Sequence, residues 1–350
     1  MDGYIVYLDD LSEGARELAA YSRLTHILPF ISCAAVGDGG FLRSPSFRAA
    51  NAVRTVRVSV VMDKVKSAVG YERTAPEPFC GRGVTAAVID TGLSPHVDFL
   101  LPHRVPVFVD LVGGKSEPYD DNGHGTAVAG ALAGSGLMSG GRYSGIACGA
   151  DIIPIKALDA SGEGSTADIL QAMQWIYTNC EKYNIRVVCM SFGAEPQGKN
   201  DPLAAGAEAL HSKGITVVAS SGNDGPAEGS VKSPGISPFA LTVGGAEVTD
   251  AGVTVSEFSS RGRPGGIVKP DIIAPAEDVV CAGAGEDYVA VTGTSIATPI
   301  VAGACALILS AHPGYTPDKV KELLMTHAAA VEGAACGSGM LDMTFLRGIT

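Results

Sequence analysis

The sequence predicts an α/β protein with a mainly parallel sheet that is covered by helices on both faces. From residue 84 onward, short apolar runs alternate with segments of helical composition, which is typical of buried parallel strands joined by helices. Hydrophobic residues make up 46% of the 350 residues, enough for a large core, and Gly occurs 45 times, as in a chain with many sharp turns. A small α/β region with a different sequence pattern is predicted before this larger domain.

The predicted N-terminal region covers residues 1–75. Residues 4–8 read as a strand, and a helix is expected to begin at Ser12 as its N-cap. Val56, Val58 and Val60 alternate with polar residues, as in a half-buried strand. Two prolines and two glycines between residues 73 and 83 indicate a linker. The remaining residues, 76–350, are predicted to form the larger domain.

In the larger domain, the spacing of apolar residues and the local composition predict individual strands and helices. One side of residues 166–180 carries Ile169, Met173, Ile176 and Tyr177 at helical spacing, which predicts an amphipathic helix. Residues 202–211 are rich in Ala and Leu and predict a second helix. The predicted strands are the apolar runs 84–89, 152–158, 185–190 and 215–219.

Composition excludes several kinds of partner. The net charge is −12, so a nucleic acid would be repelled and is not expected as a partner. The apolar stretch 300–311 lies between Pro299 and Pro313 and is shorter than the roughly 20 residues of a membrane helix, so we expect a core helix. The N-terminus lacks the pattern of a signal peptide. We therefore expect a cytoplasmic protein without a membrane partner.

The eight cysteines are scattered along the chain, and no two form a C-x-x-C pair. Several of them lie in apolar contexts, such as Cys189 and Cys305. Free cysteine packs as a small hydrophobic residue and persists in a reducing compartment. We therefore predict buried free thiols and neither disulfides nor a zinc site.

Three short segments carry residues suited to chemistry. Asp90 follows an apolar strand and, taken alone, reads as a turn former or a helix cap. His124 lies between two glycines at a predicted helix start, which is a poor packing choice unless the ring has another purpose. Ser295 stands where a turn enters the long apolar helix. An N-cap would suit that position, and so would a nucleophile in the positive end of the helix dipole.

These three residues together predict an acyl-transfer enzyme. A serine hydroxyl is a weak nucleophile that needs an adjacent base, and a neutral histidine can accept its proton and later deliver it to a leaving group. A carboxylate fixes the histidine tautomer. A metal site made of Asp90, Asp121 and His124 is an alternative, although no H-E-x-x-H spacing supports it.

The three segments also match, nearly letter for letter, the Asp, His and Ser motifs of the subtilisin-like serine proteases, or subtilases. They read Ala-Ala-Val-Ile-Asp-Thr-Gly, Asp-Asn-Gly-His-Gly-Thr-Ala-Val-Ala-Gly and Val-Thr-Gly-Thr-Ser-Ile-Ala-Thr-Pro. The chain resembles this family from about residue 83 to about residue 342 and is most similar to its cytosolic bacterial branch. Ile296 stands where the family usually has Met. The resemblance implies a three-layer αβα fold and a serine endopeptidase that hydrolyses proteins or peptides through an acyl-enzyme intermediate.

The resemblance implies further site residues. Asn223 matches the residue whose side-chain amide contributes to the oxyanion hole, and the backbone N–H of Ser295 would be the second donor. Glu163, on a substrate-binding edge, either favours basic residues in the substrate or is a solvated surface charge. Two segments resemble the edges between which a peptide lies as an added strand, namely Ser191, Phe192, Gly193 and Gly162, Glu163, Gly164.

No cofactor is implied for the chemistry. Residues 134–145 are rich in Gly and Ser and lack the Asn-containing loop that forms the tight calcium site of secreted subtilisins. The sequence therefore does not support structural calcium, and we assign no metal ligands.

The position of the N-terminal region upstream of the first catalytic strand suggests a role for it. We expect a prodomain that acts as an intramolecular inhibitor, so that the protein is made as a zymogen, until self-cleavage between about Val69 and Arg82. A permanent accessory domain is the alternative. The alternative for the whole chain is a catalytically silent subtilase-fold protein that binds peptides or regulates a partner.

Overall fold

A computed structural model describes residues 4–28, 33–36, 40–47, 52–54, 61–71, 80–100, 104–285, 287–332 and 336–348. The chain divides into two units, Met1–Ser59 and Val60–Thr350. A helix at Val61–Ala68 lies in the second unit, although the sequence places these residues in the N-terminal region. That residues 1–75 act as a domain of their own stays a prediction.

The described part of the first unit is a four-stranded antiparallel sheet with one α-helix. Its helix begins two residues earlier than predicted, because Asp10 and not Ser12 is the N-cap. The Asp10 carboxylate accepts the backbone N–H groups of Ser12 and Glu13, each at 2.9 Å. The strand predicted around Val56–Val60 lies outside the described residues. In chain order the elements are β1 (Tyr4–Tyr7), α1 (Leu11–Tyr21), β2 (Leu24–Leu28), β3 (Cys33–Val36) and β4 (Ala52–Arg54).

The second unit is built on an eight-stranded sheet in the order β11-β10-β9-β8-β5-β7-β6, with β12 paired to β10. All its pairs are parallel except β10 with β11, and β13 and β14 form a separate antiparallel pair. The predicted α/β class with a mainly parallel sheet is confirmed. The elements are α2 (Val61–Ala68), β5 (Thr85–Asp90), β6 (Val109–Asp110), α3 (His124–Ala133), β7 (Asp151–Lys156), α4 (Thr166–Tyr183), β8 (Ile185–Met190), α5 (Pro202–Ser212), β9 (Thr216–Ser220), β10 (Ala240–Thr249), β11 (Gly252–Val255), β12 (Ile272–Pro275), β13 (Val279–Ala282), β14 (Tyr288–Val291), α6 (Thr294–Ala311) and α7 (Pro317–Thr326).

Helices cover both faces of this sheet and make three layers. Side chains alternate along each strand, so Val88 of β5 joins a core with α3 and α6, while the next residue, Ile89, joins a core with α4 and α5. Both faces of the central strands are therefore buried, which is why their sequences are almost continuously apolar. The predicted three-layer αβα arrangement is confirmed.

The longest apolar helix, α6, is a core helix. Among the described residues, only α6 is long and apolar enough to cross a membrane, and 83% of it is buried inside the protein. Pro299 lies inside this helix, so the helix lacks the backbone hydrogen bond that residue 299 would otherwise donate to the carbonyl of Ser295.

None of the seven cysteines whose side chains are described forms a disulfide. The prediction of buried thiols holds for part of this set. Cys80, Cys148 and Cys336 are only half-buried, and Cys180, Cys189, Cys281 and Cys305 are buried.

Candidate active site

Asp90 is the last residue of β5, at the carboxyl end of the central parallel strand pairs. Its side chain has no exposed surface. One carboxylate oxygen, Oδ1, accepts the backbone N–H of Thr91 at 2.7 Å and lies 2.8 Å from His124 Nδ1. A buried carboxylate is costly unless it is paired, so this geometry ties Asp90 to the histidine ring.

His124 is the first residue of α3, and Gly123 before it has a φ of 100°, a left-handed conformation that favours glycine. Because a carboxylate can only accept hydrogen bonds, the contact with Asp90 assigns the proton to His124 Nδ1 and leaves Nε2 as the acceptor. The negative charge of Asp90 raises the pKa of His124 against the opposing effect of burial. The ring is 29% exposed, so Nε2 can meet a substrate.

Asp120 holds the turn that presents His124. Its carboxylate accepts the backbone N–H of Gly123 at 2.8 Å and both the N–H and the hydroxyl of Thr126, at 2.9 and 2.6 Å. It also accepts the Thr91 hydroxyl at 2.9 Å. Burial opposes ionisation, but these hydrogen bonds keep the pKa of Asp120 below its usual range. The start of α3 is therefore fastened to the turn after Asp90.

Ser295 is the second residue of α6. The helix N-cap is Gly293, whose φ is 149°, so the alternative that Thr294 or Ser295 is simply the N-cap is wrong. A side chain at Gly293 would lie 3.2 Å from Ser295 Oγ and 3.3 Å from Asn223 Nδ2, so the hydroxyl and the amide border the same small space. No hydrogen bond joins His124 to Ser295 in the described part of the chain, and such bonds are often long before substrate binds.

Asn223 follows β9, and its amide is fixed by the start of α6. Its Oδ1 accepts both the backbone N–H and the hydroxyl of Thr294, each at 2.9 Å. The amide therefore directs Nδ2, its donor, toward the space beside Ser295. The structure thus brings Asp90 together with His124 and brings Asn223 together with Ser295.

The two predicted substrate edges follow β8 and β7, the two strands that flank β5 in the sheet. Ser191, Phe192 and Gly193 follow β8, and the Phe192 carbonyl accepts the Ser220 hydroxyl at 2.9 Å. Gly162, Glu163 and Gly164 follow β7 in an exposed turn. This turn is held by Asp159, whose carboxylate accepts the Glu163 N–H at 3.1 Å. Beside it lies a cavity of about 410 Å³ with three carboxylates in its lining, those of Asp159, Glu163 and Asp168.

Lys156, the last residue of β7, is a functional residue that sequence reasoning missed. Its side chain is fully buried, and its ammonium donates to the carbonyls of Thr91 and Leu158, at 2.6 and 2.9 Å, and to Asp121 at 2.7 Å. It therefore joins the turn after Asp90 to the loop before His124. A lysine at the end of an apolar run was the signal that could have found it.

Asp120 was missed for a similar reason, since the sequence shows it only as the residue before the His motif.

The pairing of Asp121 with Lys156 also bears on the alternative metal site of Asp90, Asp121 and His124. Among the described residues, no group of three His, Cys, Asp or Glu side chains is placed to hold a metal ion.

Comparison with known proteins identifies the family to which this arrangement belongs. Residues 81–342 match the family model described as "Subtilase family". The chain belongs to the subtilase family. The chain is 41% identical to serine protease AprX of Bacillus subtilis (strain 168), over 70% of this chain and 61% of AprX. It is 34% identical to Subtilisin Savinase of Lederbergia lenta, over 75% of this chain and 90% of that protein.

Solved subtilase structures share the fold. A cold-adapted subtilisin-like serine proteinase superposes with a TM-score of 0.63 at 31% identity, covering 77% of this chain and 91% of that one. Sphericase superposes with a TM-score of 0.67 at 27% identity, covering 80% and 97%. The predicted family and fold are confirmed, and residues 81–342 are a subtilase domain. The chain spans 61% of the length of AprX.

Proposed function

We propose that this subtilase is an active serine endopeptidase in which Ser295 is the nucleophile, His124 the general base and Asp90 the residue that orients His124. The 2.8 Å contact between Asp90 Oδ1 and His124 Nδ1 is the observation that carries the proposal. It fixes the histidine tautomer whose Nε2 can accept a proton, which is the state that the reaction needs.

The reaction runs in two halves. Ser295 Oγ attacks the peptide carbonyl while His124 Nε2 takes the hydroxyl proton, and the resulting oxyanion accepts hydrogen bonds from Asn223 Nδ2 and the Ser295 backbone N–H. His124 then protonates the leaving amine, which breaks the C–N bond and leaves an ester on Ser295. Water, activated by the same histidine, hydrolyses this acyl-enzyme and frees the enzyme.

Proteins or peptides are the proposed substrates, bound as an added strand between Ser191–Gly193 and Gly162–Gly164. Glu163 and the neighbouring Asp159 and Asp168 border one cavity, so a basic residue some positions before the cleaved bond would be favoured. Solvation of the exposed Glu163 carboxylate would weaken this preference. The chemistry requires no cofactor in this proposal.

The N-terminal region is proposed to be an intramolecular inhibitor that self-cleavage removes. Cleavage is expected between about Val69 and Arg82, and residues 72–79 of that range lie outside the described part of the chain. We also propose that the protein is cytoplasmic and that it has neither a nucleic-acid nor a membrane partner.

One experiment tests the nucleophile and the self-cleavage together. Wild type, S295A and S310A are each incubated with a fluorophosphonate, which forms an Oγ–P bond with an activated serine as fluoride leaves, and the intact mass is followed with time. Ser310 lies on the same helix, at its other end, and is the matched control. We expect one label and loss of an N-terminal fragment in wild type and S310A, and neither in S295A.

Other outcomes separate the alternatives. A labelled wild type that stays full length is a serine hydrolase with a permanent accessory domain. A wild type that takes no label and cleaves nothing contradicts the proposal and favours the catalytically silent peptide-binding protein.

A further inference from the structure

Two of the half-buried cysteines lie on segments that pack against each other. Cys80 is the first residue of the described segment 80–100, and Cys148 belongs to the loop that precedes β7. The backbone N–H of Gly149 donates to the Cys80 carbonyl at 2.6 Å. Because one peptide unit joins Gly149 N to the Cys148 α-carbon, the two cysteine α-carbons lie within about 7 Å of each other. A disulfide can span this distance, since its α-carbons are about 4.4–6.8 Å apart.

The Cys80 side chain points toward the residue next to Cys148. A Cβ added at Gly149 would overlap Cys80 Sγ, so the sulfur occupies the space that Gly149 leaves open. A Cβ added at Gly81 would lie 2.9 Å from Ala147 Cβ. The segment that begins at Cys80 therefore packs directly onto the loop that carries Cys148.

Arg104 holds this loop in place. Its guanidinium is buried and donates to the carbonyls of Cys148, Ala150 and Ala133, at 2.7, 2.8 and 2.6 Å, which fastens the loop to the end of α3. Burial lowers the pKa of Arg104, and electrostatic interactions with several groups, Cys148 and Cys80 among them, oppose this effect. Both cysteines therefore lie near one buried guanidinium that fixes the backbone around them.

A small oxidant can reach both thiols. Cys80 and Cys148 are half-buried, whereas four other described cysteines are buried. Because oxidation of a thiol depends on its exposure, a peroxide would reach this pair before the buried four. Cys336 is also half-buried, but it lies on another segment, where its sulfur contacts the carbonyls of Val331 and Gly337.

We propose that Cys80 and Cys148 form a reversible disulfide when the protein meets a peroxide. One thiolate attacks the O–O bond of hydrogen peroxide, so that an S–O bond forms and hydroxide leaves. The second thiolate attacks that sulfur, so that an S–S bond forms and a second hydroxide leaves. The two protons released by the thiols convert both hydroxides to water. Two thiols are thus oxidised to one disulfide, and one peroxide is reduced to two waters.

The disulfide ties the segment that leads into β5 to the loop that leads into β7, and these two strands are neighbours in the sheet. A cross-link between distant parts of a chain stabilises the fold by restricting the unfolded chain. Oxidation therefore makes the second unit more resistant to unfolding, and a dithiol reductant reverses the effect. The bond involves no group of the proposed active site, so the disulfide and the proposed function can fail separately.

The test uses the full chain with S295A, so that self-digestion cannot remove Cys80. The protein is treated with hydrogen peroxide, its remaining thiols are blocked with N-ethylmaleimide in denaturant, and its peptides are mapped by mass without reduction. We expect a peptide pair joined through Cys80 and Cys148, the loss of two of the eight thiols, and recovery of both thiols after dithiothreitol. Urea unfolding should show a higher midpoint for the oxidised chain than for the reduced chain.

S295A/C80S and S295A/C148S each lack one partner. We expect neither variant to form the peptide pair or to gain stability with peroxide. S295A/C336S is the matched control, because it removes a thiol that is also half-buried but lies on another segment. It should form the cross-link as S295A does.

Three results would overturn the inference. Cys80 and Cys148 that stay as thiols in oxidised S295A, or that carry separate sulfinic acids, contradict the disulfide. A bond from either residue to a different cysteine contradicts the pairing. Equal urea midpoints for the cross-linked and the reduced chain contradict the stabilising role. The peptide map of S295A decides the first two results even if the serine variants do not fold.

Discussion

The Asp90 carboxylate reaches His124 from a position with no exposed surface, and the two residues belong to different elements, β5 and α3. Their relative position depends on groups that take no part in the chemistry. The Thr91 hydroxyl donates to Asp120 and accepts the Gly125 N–H at 2.8 Å, so the turn after Asp90 and the start of α3 share one set of hydrogen bonds. At the scale of single residues, the geometry of the proposed catalytic pair is therefore set by neighbouring residues.

The raised pKa of His124 predicts the pH dependence of activity. Only neutral His124 can accept the Ser295 proton, so kcat/KM should rise with pH and level off above an apparent pKa that exceeds the ordinary histidine value of 6.5. In D90N the charge that raises this pKa is lost, so the apparent pKa should fall. The rate should also fall by about 10⁴-fold, as in other Ser-His-Asp enzymes whose histidine tautomer is lost in this way.

The measurement is kcat/KM on a small chromogenic substrate over a series of pH values. D318N is the matched control, because Asp318 also pairs with a histidine, His211, at 3.0 Å but outside the site. An apparent pKa at or below 6.5 in wild type would contradict the role given to Asp90.

At the scale of elements, strands and helices with strong local patterns could be predicted from sequence. β8 was predicted with its observed bounds, and α4 begins at Thr166 as expected. The helix runs three residues past the predicted end, to Tyr183, and is terminated by its C-cap Asn184, which has a left-handed φ of 50°. Local pattern was sufficient here because α4 buries residues at helical spacing and β8 is an almost continuous apolar run that is buried on both faces.

Contacts between distant segments could not be predicted in this way. The sequence shows Asp90, His124 and Ser295 as separate motifs, and family resemblance was needed to join them. Lys156 and Asp120 had no motif to mark them, because their partners lie on other elements. The short helix α2 was missed because its eight residues have a sequence signal too short to separate from a turn.

The packing of the α2 segment indicates where the second folded unit begins. Val65 and Val69 are buried in the same core as α3 and α6, so a chain of residues 60–350 keeps them and a chain of residues 76–350 lacks them. Each buried valine contributes about 1.5–3 kcal/mol. We therefore expect the shorter chain to be less stable by about 3–6 kcal/mol.

Both truncated chains should be made with S295A, so that self-digestion does not confuse the result, and compared by urea unfolding. The double variant V65A/V69A in the longer chain is a control for the two side chains alone. Equal unfolding midpoints for the two truncated chains would show that α2 is not part of the catalytic unit.

At the scale of the whole molecule, buried charges add a pH dependence that is separate from catalysis. Lys269 is fully buried, and its ammonium donates to Asp271 at 2.7 Å, to the Ala240 carbonyl at 2.9 Å and to the Thr242 hydroxyl at 2.8 Å. Lys321 also pairs with Asp271, at 3.1 Å. Together these groups link α7 to the sheet at β10 and β12.

Burial lowers the pKa of Lys269 from 10.5 to about 8, which predicts increasing stability in alkali. Between pH 8 and 10.5 the unfolded chain holds a proton that the folded chain has released. The free energy of unfolding therefore rises with pH over this range, by up to about 3 kcal/mol at 1.36 kcal/mol per pKa unit. Below pH 8 both states are protonated, and the contribution is constant.

Urea unfolding of S295A and of S295A/K269M across this pH range measures the effect, because the methionine removes the titrating group and keeps a side chain of similar length. We expect S295A to gain stability relative to S295A/K269M as pH rises from 8 to 10.5. S295A/K213M, in which an exposed lysine is replaced, should follow S295A. A constant difference between S295A and S295A/K269M would refute this assignment.

The anchoring of Asn223 by Thr294 also has a consequence for the moment at which the enzyme becomes active. The proposed oxyanion donor and the proposed nucleophile are joined only when α6 docks beside β9. During synthesis, the segments that carry Asp90, His124 and Asn223 leave the ribosome well before Ser295 does. A growing chain therefore has no working nucleophile while most of its own backbone is still unfolded and open to attack. In the proposed mechanism, the order of the elements therefore delays proteolysis until Ser295 has been synthesised and α6 has docked.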